Sequence, residues 1–167
     1  GDNVLIVGLG PSGLIMSQWA KNLGAGKVIG WDLHKRRRET GEKLGCDLTY
    51  DNSRKDFLKK MLHEAGEVDI VIDAFGDDIL PGMPTLDDAI KVLKKGGKLI
   101  SYGHPQMRRT IDTFYLQSKC IKMMGPSNDI GQIRDYYKKA IDFSTGGKLD
   151  LKPMVSARIP LEKVGEG

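Results

Sequence analysis

The sequence is poor in cysteine, has no long apolar run and carries no large excess of charge of either sign. Cys46 and Cys120 are far apart and lack metal-ligand spacing, so they read as reduced thiols, small core residues of a cytoplasmic protein. No apolar stretch approaches the ~20 residues of a membrane span, and no signal peptide is visible, so no membrane partner is expected. The net charge of +4 is spread along the chain apart from Lys35-Arg-Arg-Arg38, which reads as a solvated helix face. No nucleic-acid partner is therefore expected. There is no low-complexity tract and no short-period repeat. What remains is 167 residues, 40% hydrophobic and 29% charged, enough for one globular domain with a real core.

Glycine, by contrast, is placed with purpose. Val4-Leu-Ile-Val-Gly8-Leu-Gly10-Pro-Ser-Gly13 reads as a buried strand, a glycine turn and a helix start. In such a turn Gly8 allows the sharp exit from the strand, Gly10 lets backbone approach a pyrophosphate, and Gly13 lets the helix pack close to the sheet. The helix offers its N-terminal N–H groups and the positive end of its dipole to phosphate oxygens. Val28-Ile-Gly-Trp-Asp32 then ends a second strand on a carboxylate 19 residues beyond Gly13 (32 − 13 = 19). That is close to the spacing of roughly 20 expected for the acid that holds an adenosine ribose.

The remaining pattern alternates strand and helix. Strands are predicted over 3–8, 27–32, 47–50, 68–73, 98–103 and 119–124. Helices are predicted over 11–23, 34–44, 54–65, 86–95, 111–118 and 130–144, with Ser53 and Thr85 as N-caps and Gly96-Gly97 as the turn before the fifth strand. The first helix should face the core with Leu14, Ile15, Trp19 and Leu23, and Trp19 and Phe57 should pack helix against sheet. These elements predict an α/β fold, a doubly wound parallel six-stranded sheet of order 3-2-1-4-5-6. Ligands of such sheets lie beyond the carboxyl ends of the strands, where the glycine turn, Asp32, residues 74–76 and residues 102–104 all fall. Residues 148–167, with two prolines and no clear partner, read as an exit from the domain formed by 1–147. The chain opens one residue before a core strand without Met and stops after Ile159-Pro-Leu-Glu-Lys-Val164, which suggests a piece of a longer protein.

The ordered motifs resemble the coenzyme domain of the zinc-type medium-chain dehydrogenase/reductase family, the alcohol and polyol dehydrogenases. They are residues 1–14, Leu23-Gly-Ala-Gly-Lys-Val-Ile-Gly-Trp-Asp32, 68–76, Leu93-Lys-Lys-Gly-Gly-Lys-Leu-Ile-Ser-Tyr-Gly103 and, late in the chain, 147–154 and 159–162. The resemblance implies hydride transfer between NAD(H) and a small alcohol or carbonyl substrate. It implies that the catalytic zinc belongs to a separate domain missing from this chain, so that the fragment alone binds coenzyme without turnover. Asp32, with Leu33 beside it, would accept both hydroxyls of the adenosine ribose and repel a 2′-phosphate, favouring NAD over NADP. Arg37 matches the basic position that reaches the same ribose. Gly8, Leu9, Gly10, Pro11, Ser12, Gly13 and Leu14 would cradle the pyrophosphate. Phe75 and Gly76 would contact the adenine side, and Tyr102, Gly103, His104 and Met124 would flank the nicotinamide.

His104 could relay protons or contact substrate but reads first as a structural or exposed histidine, and His63–Glu64 is no acid/base pair because adjacent helix residues diverge. The family's habit of pairing through the sixth strand implies a homodimer or tetramer. Two other readings share part of the pattern: a class I S-adenosylmethionine-dependent methyltransferase, which has no pyrophosphate for Gly13 and the helix dipole to serve, and a non-catalytic NAD(H)-sensing module.

Overall fold

The apolar run at the start of the chain becomes β1 (Asn3–Val7), a central strand covered on both faces. A computed structural model describes residues 1–76, 86–104, 110–126 and 130–166. After β1 come α1 (Pro11–Asn22), β2 (Lys27–Trp31), α2 (Lys35–Leu44), β3 (Leu48–Tyr50), α3 (Phe57–Glu64) and β4 (Val68–Asp73). The second half adds α4 (Leu86–Lys91), β5 (Leu93–Ser101), α5 (Thr113–Ser118), β6 (Lys122–Met124) and α6 (Ile133–Thr145), then short 3-10 turns at Lys152–Met154 and Leu161–Glu166. The six strands are parallel in the order β3-β2-β1-β4-β5-β6, the doubly wound α/β sheet expected from the sequence.

Alternation along β1 explains why its sequence is continuously apolar. Leu5 and Val7 enter a core with Ile29, Trp31, Val71 and Leu99, covered by Phe57 and Met61 of α3 and by Ala89 and Ile90 of α4. Val4 and Ile6 enter the opposite layer with Val28, Leu9, Cys46 and Leu14 of α1. Each such fully buried aliphatic or aromatic side chain contributes ~1.5–3 kcal/mol relative to exposure. The crossover helices thus cover both faces, as right-handed connections require.

Several boundaries differ from the sequence expectation, each for a local reason. The helix expected over 54–65 begins only at Phe57, because Ser53 turns back: its N–H and hydroxyl both donate to Asp51 Oδ1. Ser53 is therefore a turn residue and not a cap. The helix expected to reach residue 95 stops at Lys91, and the chain pairs with β4 from Leu93 onward, with a register shift between Val68 and Ile70. Gly96, at φ +78°, makes an irregularity within β5 in place of a turn before it. The expected cap Thr85 lies outside the described residues. β6 is shorter than 119–124 because Lys119 and Cys120 close the turn after α5, Cys120 at φ +54°. Cys120 is exposed, so only Cys46 is the core thiol expected of both. On α1 the buried face is Gly13, Leu14, Ser17 and Gln18, whereas Leu23 is 73% exposed. Phe57 does pack edge-on against Trp31 of β2, while Trp19 stacks on Phe143 of α6, helix against helix.

Candidate functional site

The three glycines of the β1–α1 turn meet three different constraints. Gly8 sits at φ +93°, in the left-handed region that side chains avoid, and its N–H donates to Trp31 C=O at 2.8 Å. A Cβ on Gly13 would lie 1.9 Å from the Gly8 carbonyl oxygen, so backbone contact excludes any side chain there. A Cβ on Gly10 would meet nothing within 4 Å. Neither packing nor dihedral demands glycine at position 10. Gly10 is also the N-cap of α1, Pro11 follows in the first turn, and no side chain caps this end and no acid occupies its first turn. The turn therefore presents uncapped backbone and the positive end of a helix dipole to open space, a ready seat for an anion.

Leu9 between the glycines has a different task from the one its neighbours suggest. Its side chain is fully buried in a socket whose walls are Gly30 of β2, Gly41 of α2 and Cys46. A Cβ on Gly30 would lie 2.8 Å from a Leu9 methyl, and one on Gly41 3.0 Å. Only the backbone of Leu9 can face a ligand; its side chain anchors the turn. A glycine inside a strand is the sequence signal for such close approach, and Gly30 carries it. Burial pushes the Cys46 thiol up to about 12, so it stays a neutral packing group at physiological pH.

Asp32 follows β2 and is 4% exposed. Its Oδ2 accepts the Leu9 N–H at 2.9 Å and its Oδ1 the His34 N–H at 2.8 Å. The carboxylate is thereby fixed against the glycine turn, and each oxygen retains acceptor capacity beyond that one bond. The Arg37 guanidinium approaches to 3.6 Å from Oδ2. Arg38 is not the solvated residue expected of the basic run. Its Nη1 donates to the carbonyls of Asp32 and Leu33, both at 2.8 Å, and its Nη2 lies 3.3 Å from Asp51 beyond β3. Burial opposes ionisation of Asp51, but the Ser53 hydroxyl and N–H, with Arg38 and Arg54, overcome it and hold the carboxyl below its usual value. Arg38 staples the turn that carries Asp32, a role that the sequence pattern alone did not disclose.

Across the switch between β1 and β4, Ala74 N–H donates to Val7 C=O, and the N–H groups of Tyr102 and Gly103 both donate to Asp73 C=O. A Cβ on Gly103 would lie 1.9 Å from the Phe75 carbonyl oxygen, so these two strand ends are in close backbone contact. Phe75 and Leu33 are half-buried, whereas Tyr102, His104 and Met124 are exposed at the same sheet edge. From β2 to β6 there are four strand spacings of ~4.8 Å, about 19 Å in all, so the residues singled out in the sequence are spread along one edge of the sheet. Among the described residues no group of three or more His, Cys, Asp or Glu side chains could hold a metal ion. Those residues supply no ligand set for a zinc ion.

Residues 11–145 match the family described as zinc-binding dehydrogenases. The chain belongs to that family. It is similar to D-xylulose reductase A of Aspergillus niger, 27% identical over 168 residues that cover 97% of this chain and 45% of that protein. It is 28% identical to L-threonine 3-dehydrogenase of Rhizobium johnstonii over 169 residues, 100% of this chain and 47% of that one. The chain thus spans less than half the length of these relatives. Among solved structures, a short chain alcohol dehydrogenase from E. coli CFT073, complexed with NADH, superposes with a TM-score of 0.82 at 18% identity, covering 99% of this chain and 47% of that one. A zinc-binding dehydrogenase from Sinorhizobium meliloti 1021, bound to NADP, gives 0.81 at 24% identity, covering 99% and 48%. At these identities the two structures establish the shared fold.

Proposed function

We propose that this chain is the NAD(H)-binding domain of a dehydrogenase that interconverts a small alcohol and the corresponding carbonyl compound. The observation that carries the proposal is the free space at Gly10, flanked by two glycines that packing and dihedral do explain. Neither packing nor dihedral requires glycine at this N-cap position; a diphosphate lying against its backbone does. When bound, the nicotinamide supplies the hydride acceptor or donor. This chain's residues bind and orient: residues 8–14 hold the diphosphate, Asp32 and Arg37 the adenosine ribose, Leu33, Phe75 and Gly76 the adenine side, and Tyr102, Gly103, His104 and Met124 the nicotinamide side. The substrate pocket and any zinc ligands would come from sequence outside this chain.

Asp32 favours NAD over NADP, because a fixed carboxylate at the ribose repels a 2′-phosphate. The domain is assigned to residues 1–147, with 148–167 leading toward a catalytic domain, in a cytoplasmic protein. Among the described residues no helix is long and apolar enough to cross a membrane. The open edge of β6 is the proposed contact of a homodimer, since an unpaired parallel strand needs a partner or a cover; light scattering that shows a monomer at high concentration would remove this assignment. The binding proposal is tested by calorimetric titration with NADH, NADPH and S-adenosylmethionine, on the wild type and on Asp32→Ala. Saturable NADH binding stronger than NADPH binding, with the preference lost in the variant, is expected. Binding of S-adenosylmethionine alone would replace the dehydrogenase reading with a methyltransferase.

A further inference from the structure

The segment that follows α6, for which the sequence shows no clear partner, is held against α1. Gln18, buried on α1, holds it by both ends of its amide: Nε2 donates to Asp150 C=O at 3.1 Å and Oε1 accepts the Asp150 N–H at 2.6 Å. One turn further along α1, Asn22 Nδ2 donates to Lys148 C=O at 2.7 Å. The Lys148 ammonium lies 4.8 Å from the centre of the Phe143 ring, which itself stacks on Trp19 of α1 at 4.1 Å. The back of α1 is thus a docking strip that sets the register of residues 143–150. Its front is the glycine turn.

From this strip the chain makes the 3-10 turn Lys152–Met154 and reaches α2, where Arg36 Nη2 donates to Ser156 C=O at 3.3 Å. Pro153, Met154 and Ser156 form one side of a cleft of about 230 Å³. Gly10 and Pro11 of the glycine turn form the second side, and Arg36, Arg37 and Thr40 of α2 the third. The volume is below the roughly 300–1,000 Å³ of sites that hold a whole drug-sized ligand, so the cleft takes part of a dinucleotide and leaves the rest to the sheet edge. Its chemistry suits that part. Arg36 meets a neutral carbonyl here and Arg37 lies 3.6 Å from Asp32, so two guanidiniums face a space that begins at an uncapped helix N-terminus. Guanidinium groups pair with phosphate oxygens through two parallel N–H donors.

We propose that residues 152–156 are the outer wall of the coenzyme site, against the diphosphate and the adenosine ribose, and that Gln18 is the positioning residue that sets this wall in register with α1. The inference rests on the coenzyme reading above and adds residues that no part of the glycine-turn motif contains. It also ties coenzyme binding to the path by which the chain leaves the sheet, because one helix holds both.

The test is hydrogen–deuterium exchange of the full chain with and without saturating NADH. Slowed exchange is expected at the amides of residues 9–13 and, in the same sample, at those of Met154, Val155 and Ser156. Slowing at 9–13 with residues 154–156 unchanged would overturn the wall. No slowing at either segment would instead bring down the coenzyme reading, and the wall with it. Gln18→Leu keeps the side-chain size and removes both amide bonds. It is expected to weaken NADH and ADP-ribose by the same factor, roughly tenfold, about 1.4 kcal/mol, and to abolish slowing at 154–156 while keeping it at 9–13. Affinity within twofold of wild type would contradict the positioning role of Gln18.

Discussion

β1 and β6 are parallel strands of one sheet, yet β1 buries four of its five residues and all three residues of β6 are exposed. The helices differ in the same way. α1 buries Gly13, Leu14, Ser17 and Gln18, whereas α6 buries none, although Ile133, Tyr137 and Ile141 line one face of it. Tyr137 is 65% exposed. Except for Leu149, every buried apolar residue among those described lies before residue 100. The half that carries the glycine turn and Asp32 therefore holds nearly all of the buried apolar core, with partial cover from Ile111, Tyr115, Leu116, Ile121 and Met154 of the other half. The other half shows apolar surface of the kind that marks an interaction face.

The largest expected effects lie in the first half. Gly13→Ala drives a methyl into the Gly8 carbonyl, and such overpacking against backbone should destabilise by ~3 kcal/mol or more. Leu5→Ala empties a fully buried position and should lose ~2–5 kcal/mol. Urea unfolding measures both. If either variant proves as stable as the wild type, the claim that the first half holds the core fails. Next in size is Asp32→Ala, which leaves the Leu9 and His34 N–H groups without their carboxylate and should cost ~1–3 kcal/mol. Its loss of preference for NADH is the binding counterpart.

In the second half the same kind of change should be nearly silent. Tyr137→Ser and Ile141→Ser alter exposed positions and should shift stability by less than ~0.5 kcal/mol in the isolated chain. A large loss would mean that α6 is covered after all. A further modest effect concerns acid. Asp69 accepts two hydrogen bonds from Lys94 Nζ, at 2.8 and 2.9 Å, and one from the Asn3 N–H, and these hold its carboxyl below the usual value. Because the folded-state pKa is depressed, this stabilisation is fully present above the unfolded value of ~3.9 and is lost as pH falls through the folded value. As a partly exposed pair it contributes at most ~1 kcal/mol. Asp69→Asn should lower stability at pH 7 and converge with the wild type near pH 2; parallel curves across that range would contradict the assignment.

The fold was legible because its signals are local. A continuously apolar β1, glycine at the ends of helices and a carboxylate after β2 state the sheet and its order directly, and the structure has that order. Contacts between distant segments were not legible. Nothing in the run Lys35–Arg38 distinguishes Arg38, half-buried and bonded to two carbonyls, from its solvated neighbours. Nor does any pattern announce that Gln18 reaches a backbone 132 residues away. The helix starts were misjudged where a polar residue had two options: Ser53 bonds backward to Asp51 instead of forward into a helix, and only three-dimensional context decides between such bonds. At the glycine turn, sequence spacing assigned a separate purpose to each glycine, and Gly8 and Gly13 have the dihedral and the packing that those purposes require.

The third purpose is the one on which the account depends. Gly10→Ala adds a methyl to space that the protein leaves open, so the fold should be kept, at a cost of no more than ~1 kcal/mol for the poorer N-cap, while a ligand lying there is displaced. Measured side by side, the unfolding midpoint of Gly10→Ala should stay close to the wild type and its NADH affinity should fall at least tenfold, about 1.4 kcal/mol. Unchanged NADH affinity in a folded Gly10→Ala chain would show that the coenzyme does not lie on this turn, and would contradict the assignment of the site.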